Sequence, residues 1–582
     1  MSTITTARTN GRSRPPNRQR PLWRLLAVLA ALALLAAACG GDDDDASGDD
    51  AETATETSDS ATDESGSGDE ADEAAGSAGG AELSADLPAV VAGAAEPGGA
   101  YGGTITVRHA FAPTSLDPHT GSSGGDHMVL YTIYDRLTHF EFETLNEGPG
   151  LAESWEFVDD TTLVFNLREG VTFHDGSPFN AEVVAYNIDR GQNHPVTTVA
   201  NNLASIDSVE VIDDLTVQFN LSRPDTSLIG ILSDRAGMMV SMEAAEAADE
   251  NRLDITPVGT GAFKMVNYAP GDRLVLEKNP DYWQEGLPYL DGFEWVFIED
   301  EEAAINGLLA GEIDMFDNLT DASKVAALEG DDRIEFIDSA SQGMDGCYFN
   351  KLDSPFADVN VRKAWAHAID KEGLNGPLHF GFGEAAYLPL PPQHWAFAAE
   401  LAPNHAYDVD EAQRLLGEAG FEDGVDIAMV MWLSDHEERK AEVIQAAVEP
   451  AGFRVDAQVL EGSAANAGFF ENGDFDIYCS GWSGRPDPGQ TLTALLGGES
   501  FYNYGNVGVG GLDDLVAAGA QSADPAERAD AYRDALQTGI VDELVWLPLW
   551  HHSLVVPKSP KVQGYNWNLY GKAQLQFVWL EE

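Results

Sequence analysis

Residues 40–100 limit most strongly what this chain can fold into, because they offer almost nothing to bury. They contain 18 Asp and Glu residues, no Lys or Arg, and many Gly, Ser, Thr and Ala residues. Burial in such a segment cannot offset the entropy lost on ordering, and its like charges repel one another. We therefore expect 39–100 to be a disordered acidic tether, with the fold built from 101–582.

The segment before this tether is typical of an export signal. Six arginines and no acidic residue precede an apolar run of 14 residues, Leu25 to Ala38. A bilayer span needs roughly 20 apolar residues, whereas a run of this length suits the core of a signal peptide. Three alanines then precede Cys39, which resembles a bacterial lipoprotein signal. The resemblance implies that 1–38 are removed and that Cys39 is lipidated; a secretory leader cut at an A-x-A site, with Cys39 incidental, is the alternative.

The charge of the chain excludes two classes of partner. The formal net charge is -66, and without the leader and residues 40–100 there remain 26 basic and 80 acidic residues, a net charge near -54. Nucleic acid binding needs clustered Lys and Arg, and so does electrostatic adhesion to anionic lipid. We expect no nucleic acid partner, and membrane contact only through a lipid anchor.

Local patterns in 101–582 predict a mixed α/β protein. Alternating apolar residues around Asp-Asp-Thr-Thr predict a β-hairpin over 154–167, and Asp126 and Asn180 are candidate helix N-caps. Strand patterns and helix patterns alternate along the second half, as in an α/β domain. The strands are expected at 333–338, 426–433 and 474–482, and the helices at 358–370, 410–419, 436–451 and 525–540.

An ordered set of motifs resembles a known family. The motifs are "LAESWEFVDDTTLVFNLREGVTFHDGSP" (151–178), "PVGTGAFKMVNY" (257–268), "LLAGEIDMFDNL" (308–319), "FNKLDSPFADVNVRKAWAHAIDKEGL" (349–374) and "GDFDIYCSGWSGRPDP" (473–488). In combination they resemble the extracytoplasmic solute-binding proteins of ABC importers, family 5, of the oligopeptide-, dipeptide- and nickel-binding type.

The resemblance implies a two-lobed periplasmic-binding-protein type II fold that closes on a solute by a hinge motion. Lobe one is expected at 101–337 with an inserted subdomain at about 141–255, lobe two at 338–540, and a return to lobe one at 541–582. It also implies a monomer without enzymatic activity or cofactor, anchored by lipid outside the cytoplasm. Its partners would be a small, peptide-like solute and an ABC permease with its ATPase.

Aromatic and polar residues near the expected cleft are the candidate ligand contacts, because aromatic walls with a few polar groups suit small-molecule pockets. These candidates are Ser122, Ser123, Asn350, His394, Trp395, Gly481, Trp482, Ser483, Arg485 and Asp487.

Arg485 departs from the family pattern. Peptide-binding relatives generally place an acid shortly after the tryptophan of this motif, whereas Arg485 stands three residues after Trp482. An arginine facing the cleft would favour a carboxylate or phosphate. An arginine that faces solvent or pairs with Asp487 would carry no information about the solute.

Other functions are alternatives at this point. "GSSGG" (121–125) matches G-x-S-x-G, so an exported serine hydrolase using Ser123 is one alternative, although the motif follows a proline-broken loop rather than a strand. Nickel or metal-chelate binding is another, and a purely structural surface lipoprotein is a third. The histidines His109, His119, His127, His139, His174, His551 and His552 form no recognised zinc motif, so no metal site is predicted.

The two cysteines after Cys39 are expected on strands of the second lobe. In an oxidising compartment Cys347 and Cys479 could pair, but direct cross-strand geometry is demanding. A disulfide and two buried thiols both remain open.

Overall fold

The computed structural model describes residues 99–581 except 122, 124, 141, 143–144, 146, 248–251, 320, 329, 486, 505–507, 523, 566–567 and 573. All of these residues belong to one compact unit. The predicted signal peptide, Cys39 and nearly all of the predicted tether lie outside the described residues. Within these ranges, no helix is both long and apolar enough to cross a membrane.

The strands are β1 (Thr104–His109), β2 (Thr138–Phe140), β3 (Glu147–Pro149), β4 (Ala152–Asp159), β5 (Thr162–Leu167), β6 (Ile206–Asp213), β7 (Thr216–Leu221), β8 (Phe263–Ala269), β9 (Arg273–Lys278), β10 (Gly292–Phe297), β11 (Met315–Phe316), β12 (Glu335–Phe349), β13 (Glu384–Ala385), β14 (Val425–Trp432), β15 (Phe453–Leu460), β16 (Ile477–Trp482), β17 (Trp546–Lys558), β18 (Val562–Gln563) and β19 (Trp579–Leu580).

The α-helices are α1 (Asp126–Ile133), α2 (Ala181–Asn193), α3 (Leu228–Ile231), α4 (Met242–Ala247), α5 (Glu301–Ala310), α6 (Val325–Leu328), α7 (Val359–His367), α8 (Lys371–His379), α9 (Val409–Glu418), α10 (Asp435–Val448), α11 (Gly462–Asn466), α12 (Pro488–Leu496), α13 (Leu512–Ala518) and α14 (Pro525–Leu536).

One sheet runs through most of the described chain. Its order is β15-β14-β16-β12-β17-β11-β1-β10-β9-β8, with β13 paired to β17. Strands from the first half of the chain therefore form one end, and strands from the second half form the other. The two parts meet at β12 and β17.

Strands β12 and β17 are long because they serve both ends of the sheet. Residues 335–340 of β12 pair with β17, whereas residues 344–348 pair with both β17 and β16. The register between β12 and β17 shifts between Ala340 and Met344. Such a bulge bends a strand locally, and here it separates the two ends of the sheet.

Separate hydrophobic cores lie at the two ends. Val107, Trp295 and Phe263 belong to the core around β1, β10 and β8. At the other end, Trp365 belongs to the core beneath α7, α9 and α10, and Trp482 to the core beneath α12, α13 and α14. Helices thus cover the sheet with apolar residues on both faces, as an α/β architecture requires.

A second, four-stranded antiparallel sheet has the order β4-β5-β7-β6 and a core of its own. The predicted hairpin at 154–167 is confirmed as β4 and β5, which pair around Trp155 and Phe165. Asn180 caps α2 by accepting a hydrogen bond from Val183 N, as predicted. The lobe and subdomain boundaries inferred from the motifs remain predictions.

The prediction of Asp126 as an N-cap is wrong. Gly125 occupies the cap position, and Asp126 is the first residue of α1. Its carboxylate accepts hydrogen bonds from Thr114 N and Thr114 Oγ1 at 2.7 and 2.6 Å. The carboxylate of Asp126 therefore bonds to Thr114 in the preceding loop and does not cap α1.

The structure contains a disulfide between Cys347 and Cys479. The two residues are direct neighbours in the register of β12 and β16, and both are fully buried. The bond ties β12 to the strand that ends at Trp482.

Candidate functional site

A cavity of about 690 Å³ lies between the region of the four-stranded sheet and helices α12 and α13. Arg223 and Asp225 line it on one side, and Arg485, Glu499 and Asp513 line it on the other. Small-molecule sites have volumes of about 300–1,000 Å³, so a ligand of peptide size would fit.

Hydrogen bonds connect the two sides next to this cavity. Thr226 N donates to Ala520 O at 3.0 Å, and Thr226 Oγ1 donates to Ser522 O at 2.9 Å. Residues almost 300 positions apart in the chain therefore meet here, and the two sides are in contact in this conformation.

Arg485 is the cation on the wall formed by the second half of the chain. Its guanidinium lies 4.3 Å from the centre of the Trp482 ring, and its Nη1 donates to Gly484 O at 2.9 Å. An arginine stacked on an aromatic face keeps its charge and is held in one orientation. This contact positions the guanidinium at the cavity.

A polar cluster from the first part of the chain lies within electrostatic range of Arg485. Asp234 Oδ1 lies 2.8 Å from His127 Nδ1 and accepts a hydrogen bond of 2.6 Å from Tyr131 OH. Burial raises the pKa of Asp234 to about 7, against the opposing effects of Arg235, Lys572 and Arg485. Asp234 therefore changes its charge near neutral pH.

Sequence reasoning missed this cluster. Its members come from α1, from a turn before Met238 and from the C-terminal segment, where Tyr570 OH lies 3.0 Å from His127 Nδ1. No local spacing relates residues 127, 234 and 570.

Trp482 lies in the hydrophobic core beneath Arg485. Its side chain is 1% exposed and packs edge-on against Tyr502 with ring centres 5.4 Å apart. Gly481 and Ser483 on either side of it are half-buried. In this conformation Trp482 supports the guanidinium of Arg485. Direct contact between Trp482 and the solute remains a prediction.

Asp487 has a structural role. It is 2% exposed, caps α12 by accepting from Gly489 N at 2.7 Å, and forms a buried ion pair with Arg528. Tyr532 OH donates to the same oxygen, Oδ1, at 3.0 Å, and Arg528 Nη2 contacts Oδ2. Its oxygens are occupied by these groups, so the geometry does not support the predicted ligand contact.

His394 and Trp395 pack against this same buried group. The two rings stack with centres 6.0 Å apart, and Arg528 lies 5.2 Å from the centre of the Trp395 ring. His394 Nδ1 accepts a hydrogen bond from Ala396 N at 3.0 Å. Both side chains therefore lie next to the Asp487–Arg528 pair. Contact of His394 or Trp395 with the solute remains a prediction.

Asn350 also makes structural hydrogen bonds. Its Nδ2 donates to Phe475 O and its Oδ1 accepts from Leu352 N, both at 3.1 Å. The side chain is 3% exposed, so it fixes the end of β12 against the segment before β16. The predicted solute contact is not supported by this placement.

The loop containing Ser123 is held by ionic and polar contacts. Ser123 O accepts from Arg235 Nη2 at 2.6 Å, and Ser123 Oγ accepts from Gly125 N at 3.1 Å. The nearby His109 bonds to Asp317, but within the described chain its Nε2 has no hydrogen-bond partner. Among the described residues, no base is hydrogen-bonded to Ser123 Oγ as a hydrolase would require. Ser122, the other predicted serine, lies outside the described residues.

One group in the described part of the chain has metal-binding composition and spacing. Asp345, His379 and His436 each offer a ligand atom, and these atoms lie within 4.8 Å of one another. None of the three was a candidate in the sequence, because they come from β12, α8 and α10.

Comparison with known proteins agrees with this architecture. The chain matches the family model "Bacterial extracellular solute-binding proteins, family 5 Middle" over residues 147–503. The chain belongs to this family. Its two-lobed α/β fold, as the motifs implied, is thereby confirmed.

Three similar proteins illustrate the range of the family. Heme-binding protein A of Haemophilus influenzae is 29% identical over 476 residues, 75% of this chain and 85% of that protein. The dipeptide-binding protein of Escherichia coli is 27% identical over 506 residues, 81% of this chain and 93% of that protein. The periplasmic binding protein DppA of Helicobacter pylori, in complex with the peptide STSA, superposes with a TM-score of 0.72 at 25% identity, covering 83% of this chain and 99% of its own. All three are named as binding proteins.

Proposed function

We propose that this family 5 protein is a lipid-anchored, extracytoplasmic receptor that binds a small peptide-like solute carrying a carboxylate. The solute occupies the cavity between the two lobes and is passed to an ABC import permease. No bond is made or broken by this chain.

The position of Arg485 is the observation that carries the proposal. Its guanidinium lines the cavity, is supported by the buried Trp482, and stands within electrostatic range of the Asp234 cluster in the other lobe. A planar arginine matches a carboxylate through two parallel hydrogen bonds. The cavity thus offers an anionic group a defined partner in a protein of otherwise strong negative charge.

The two crossover strands support a closing motion. Strands β12 and β17 serve both ends of the sheet, and the bulge between Ala340 and Met344 lies between those two ends. Hinges in such proteins are a few residues that absorb the change in backbone angles. Opening would separate the 223–225 segment from Arg485 and admit the solute, and closure would restore the contacts of this conformation.

The proposal is tested with ligand pairs that differ only at the carboxylate. Native mass spectrometry of the purified protein first identifies any co-purified solute. Dipeptides are then compared with their C-terminal amides by thermal stabilisation, which increases with ligand concentration relative to Kd. We expect the free acids to stabilise the protein without being consumed.

A remote arginine provides the control. Arg454 is half-exposed and pairs with Asp426 on the outer strands β14 and β15. Arg485→Gln should lose the preference for the free acid, and Arg454→Gln should keep it. Equal stabilisation by acid and amide in the unmodified protein would contradict the assigned solute class, and turnover of the peptide would contradict the receptor function.

A further inference from the structure

The polar group around Asp345 lies on the face of the sheet opposite the Trp482 core. Met344 packs in the same core as Trp482, whereas Cys347 packs in the core beneath α10. Asp345 contacts Lys440 of α10, so its side chain belongs to the α10 face. This group is therefore separated from the solute cavity by the sheet.

Histidines from three further elements surround one oxygen of Asp345. Its Oδ2 lies 3.4 Å from His552 Nε2 on β17 and 3.8 Å from His379 Nε2 at the end of α8. His436, near the start of α10, forms with Asp345 and His379 a set of three whose ligand atoms lie within 4.8 Å of one another. The His379 and His436 rings have centres 5.4 Å apart.

These separations are close to those of a coordinated metal. A tetrahedral Zn²⁺ with bonds of about 2.0 Å holds its ligand atoms about 3.3 Å apart. The distances from Asp345 Oδ2 need only small adjustments of side chains to reach this value. Three imidazoles and one carboxylate are a donor set preferred by Zn²⁺, Ni²⁺ and Cu²⁺ over Mg²⁺ and Ca²⁺.

Burial leaves one donor atom of this group without another partner. His379 is 8% exposed, and among the described residues its Nε2 has no hydrogen-bond partner.

Lys440 orients the carboxylate. Its Nζ donates to Asp345 Oδ1 at 2.8 Å and to Glu437 Oε1 at 2.6 Å. Because Oδ1 accepts this hydrogen bond, Oδ2 is the oxygen that faces the histidines. Groups that orient a ligand in this way commonly surround metal sites. The carboxylate of Glu437 compensates the positive charge of Lys440.

The geometry points to a binding site for one divalent transition-metal ion, with Asp345 Oδ2, His379, His436 and His552 as ligands. The ion would join both crossover strands, β12 and β17, to helices α8 and α10 of lobe two. It would thereby stiffen the sheet next to the hinge bulge without touching the solute.

Metal binding is measured on the whole chain, freed of metal and of any affinity tag, with Zn²⁺ and Co²⁺ as probes. Excess Mg²⁺ is included to occupy acidic surface sites. We expect one equivalent of Zn²⁺ per chain by elemental analysis, and Co²⁺ should develop the strong visible absorption of a four-coordinate ion. His436→Gln and His552→Gln should each lower the affinity about tenfold or more.

Two controls keep folding and solute binding separate from metal binding. His367 contacts Ala406 O and is not one of the four proposed ligands. The variants His367→Gln and Arg485→Gln should both retain full affinity for Zn²⁺. Variants are compared only where their melting temperature without metal equals that of the unmodified protein. Absence of stoichiometric Zn²⁺ binding, or unchanged affinity in both His436→Gln and His552→Gln, would overturn the site while leaving the receptor proposal intact.

Discussion

Two Arg-Pro-Asp sequences, 223–225 and 485–487, occur beside the cavity, and their arginine and aspartate side chains have different surroundings. In the first, Arg223 has a side chain that is 61% exposed and lies 3.6 Å from Asp225. In the second, Asp487 is buried with Arg528 and caps a helix, while Arg485 lies over Trp482 at the cavity. In the first segment the arginine is exposed to solvent and pairs with the aspartate. In the second segment the aspartate is buried and has a structural role, whereas the arginine lines the cavity.

Burial explains why the two segments should respond differently to mutation. An ion pair with an exposed partner contributes about 0–1 kcal/mol, because water solvates the exposed charge well and competes with its partner. Removing one partner of a buried pair costs about 3–5 kcal/mol, since the other charge remains buried without compensation. Substitution of the buried aspartate should therefore destabilise the protein more than substitution in the segment with the exposed arginine.

The largest expected effect is the loss of stability in Asp487→Ala. The substitution removes the cap of α12 and leaves the buried Arg528 without this carboxylate. We expect the free energy of unfolding to fall by about 3–5 kcal/mol, measured by chemical denaturation. Asp225→Ala is the matched variant and should cost about 1–2 kcal/mol, because it loses one hydrogen bond and a partly exposed pair. Equal losses in the two variants would contradict the difference between the segments.

The next effect is on affinity. Arg485→Gln should weaken binding of a carboxylate-bearing solute about tenfold to a hundredfold, the range expected for hydrogen bonds to a charged group. Arg223→Gln should change it by about threefold or less, because Arg223 is largely exposed and lies beside Asp225. Isothermal titration of both variants checks this prediction, and a larger loss in Arg223→Gln would reverse the assignment of the anion-binding wall.

The smallest effect concerns pH. Since burial raises the pKa of Asp234 to about 7, a rise from pH 6 to pH 8 adds a negative charge near Arg485. An anionic solute binds better while Asp234 is protonated, so its affinity should fall about threefold over this range. Asp234→Asn should bind with little dependence on pH in this window. An affinity that rises with pH in the unmodified protein would contradict the predicted sign.

The elements that depend on short stretches of chain could be predicted. The hairpin of β4 and β5 and the Asn180 cap follow from contacts between residues close in sequence. Asp126 shows the limit of this reasoning, since Thr114 uses the carboxylate that would otherwise cap α1. The family, likewise, was recognisable from motifs that occur in order along the chain.

The candidate site was predicted only in part. Arg485 was identified because it breaks a local pattern, and it lines the cavity. Asn350 and Asp487 belong to the same kind of polar loop in sequence, yet their oxygens and nitrogens are used by Phe475 and Arg528. Which polar side chain is used inside the fold depends on partners more than 40 residues away, and a sequence pattern does not contain them.

The sequence by itself determined the acidic character of the chain, its export-like leader, its α/β class and its family, because these depend on composition, local periodicity and ordered motifs. The tertiary structure alone decided the pairing of Cys347 with Cys479, the cluster around Asp234 and the meeting of Asp345 with His379, His436 and His552. Each of these requires residues from distant strands and helices to converge, and that convergence is set by the pairing of β12 with β16 and β17 and by the helices packed on them.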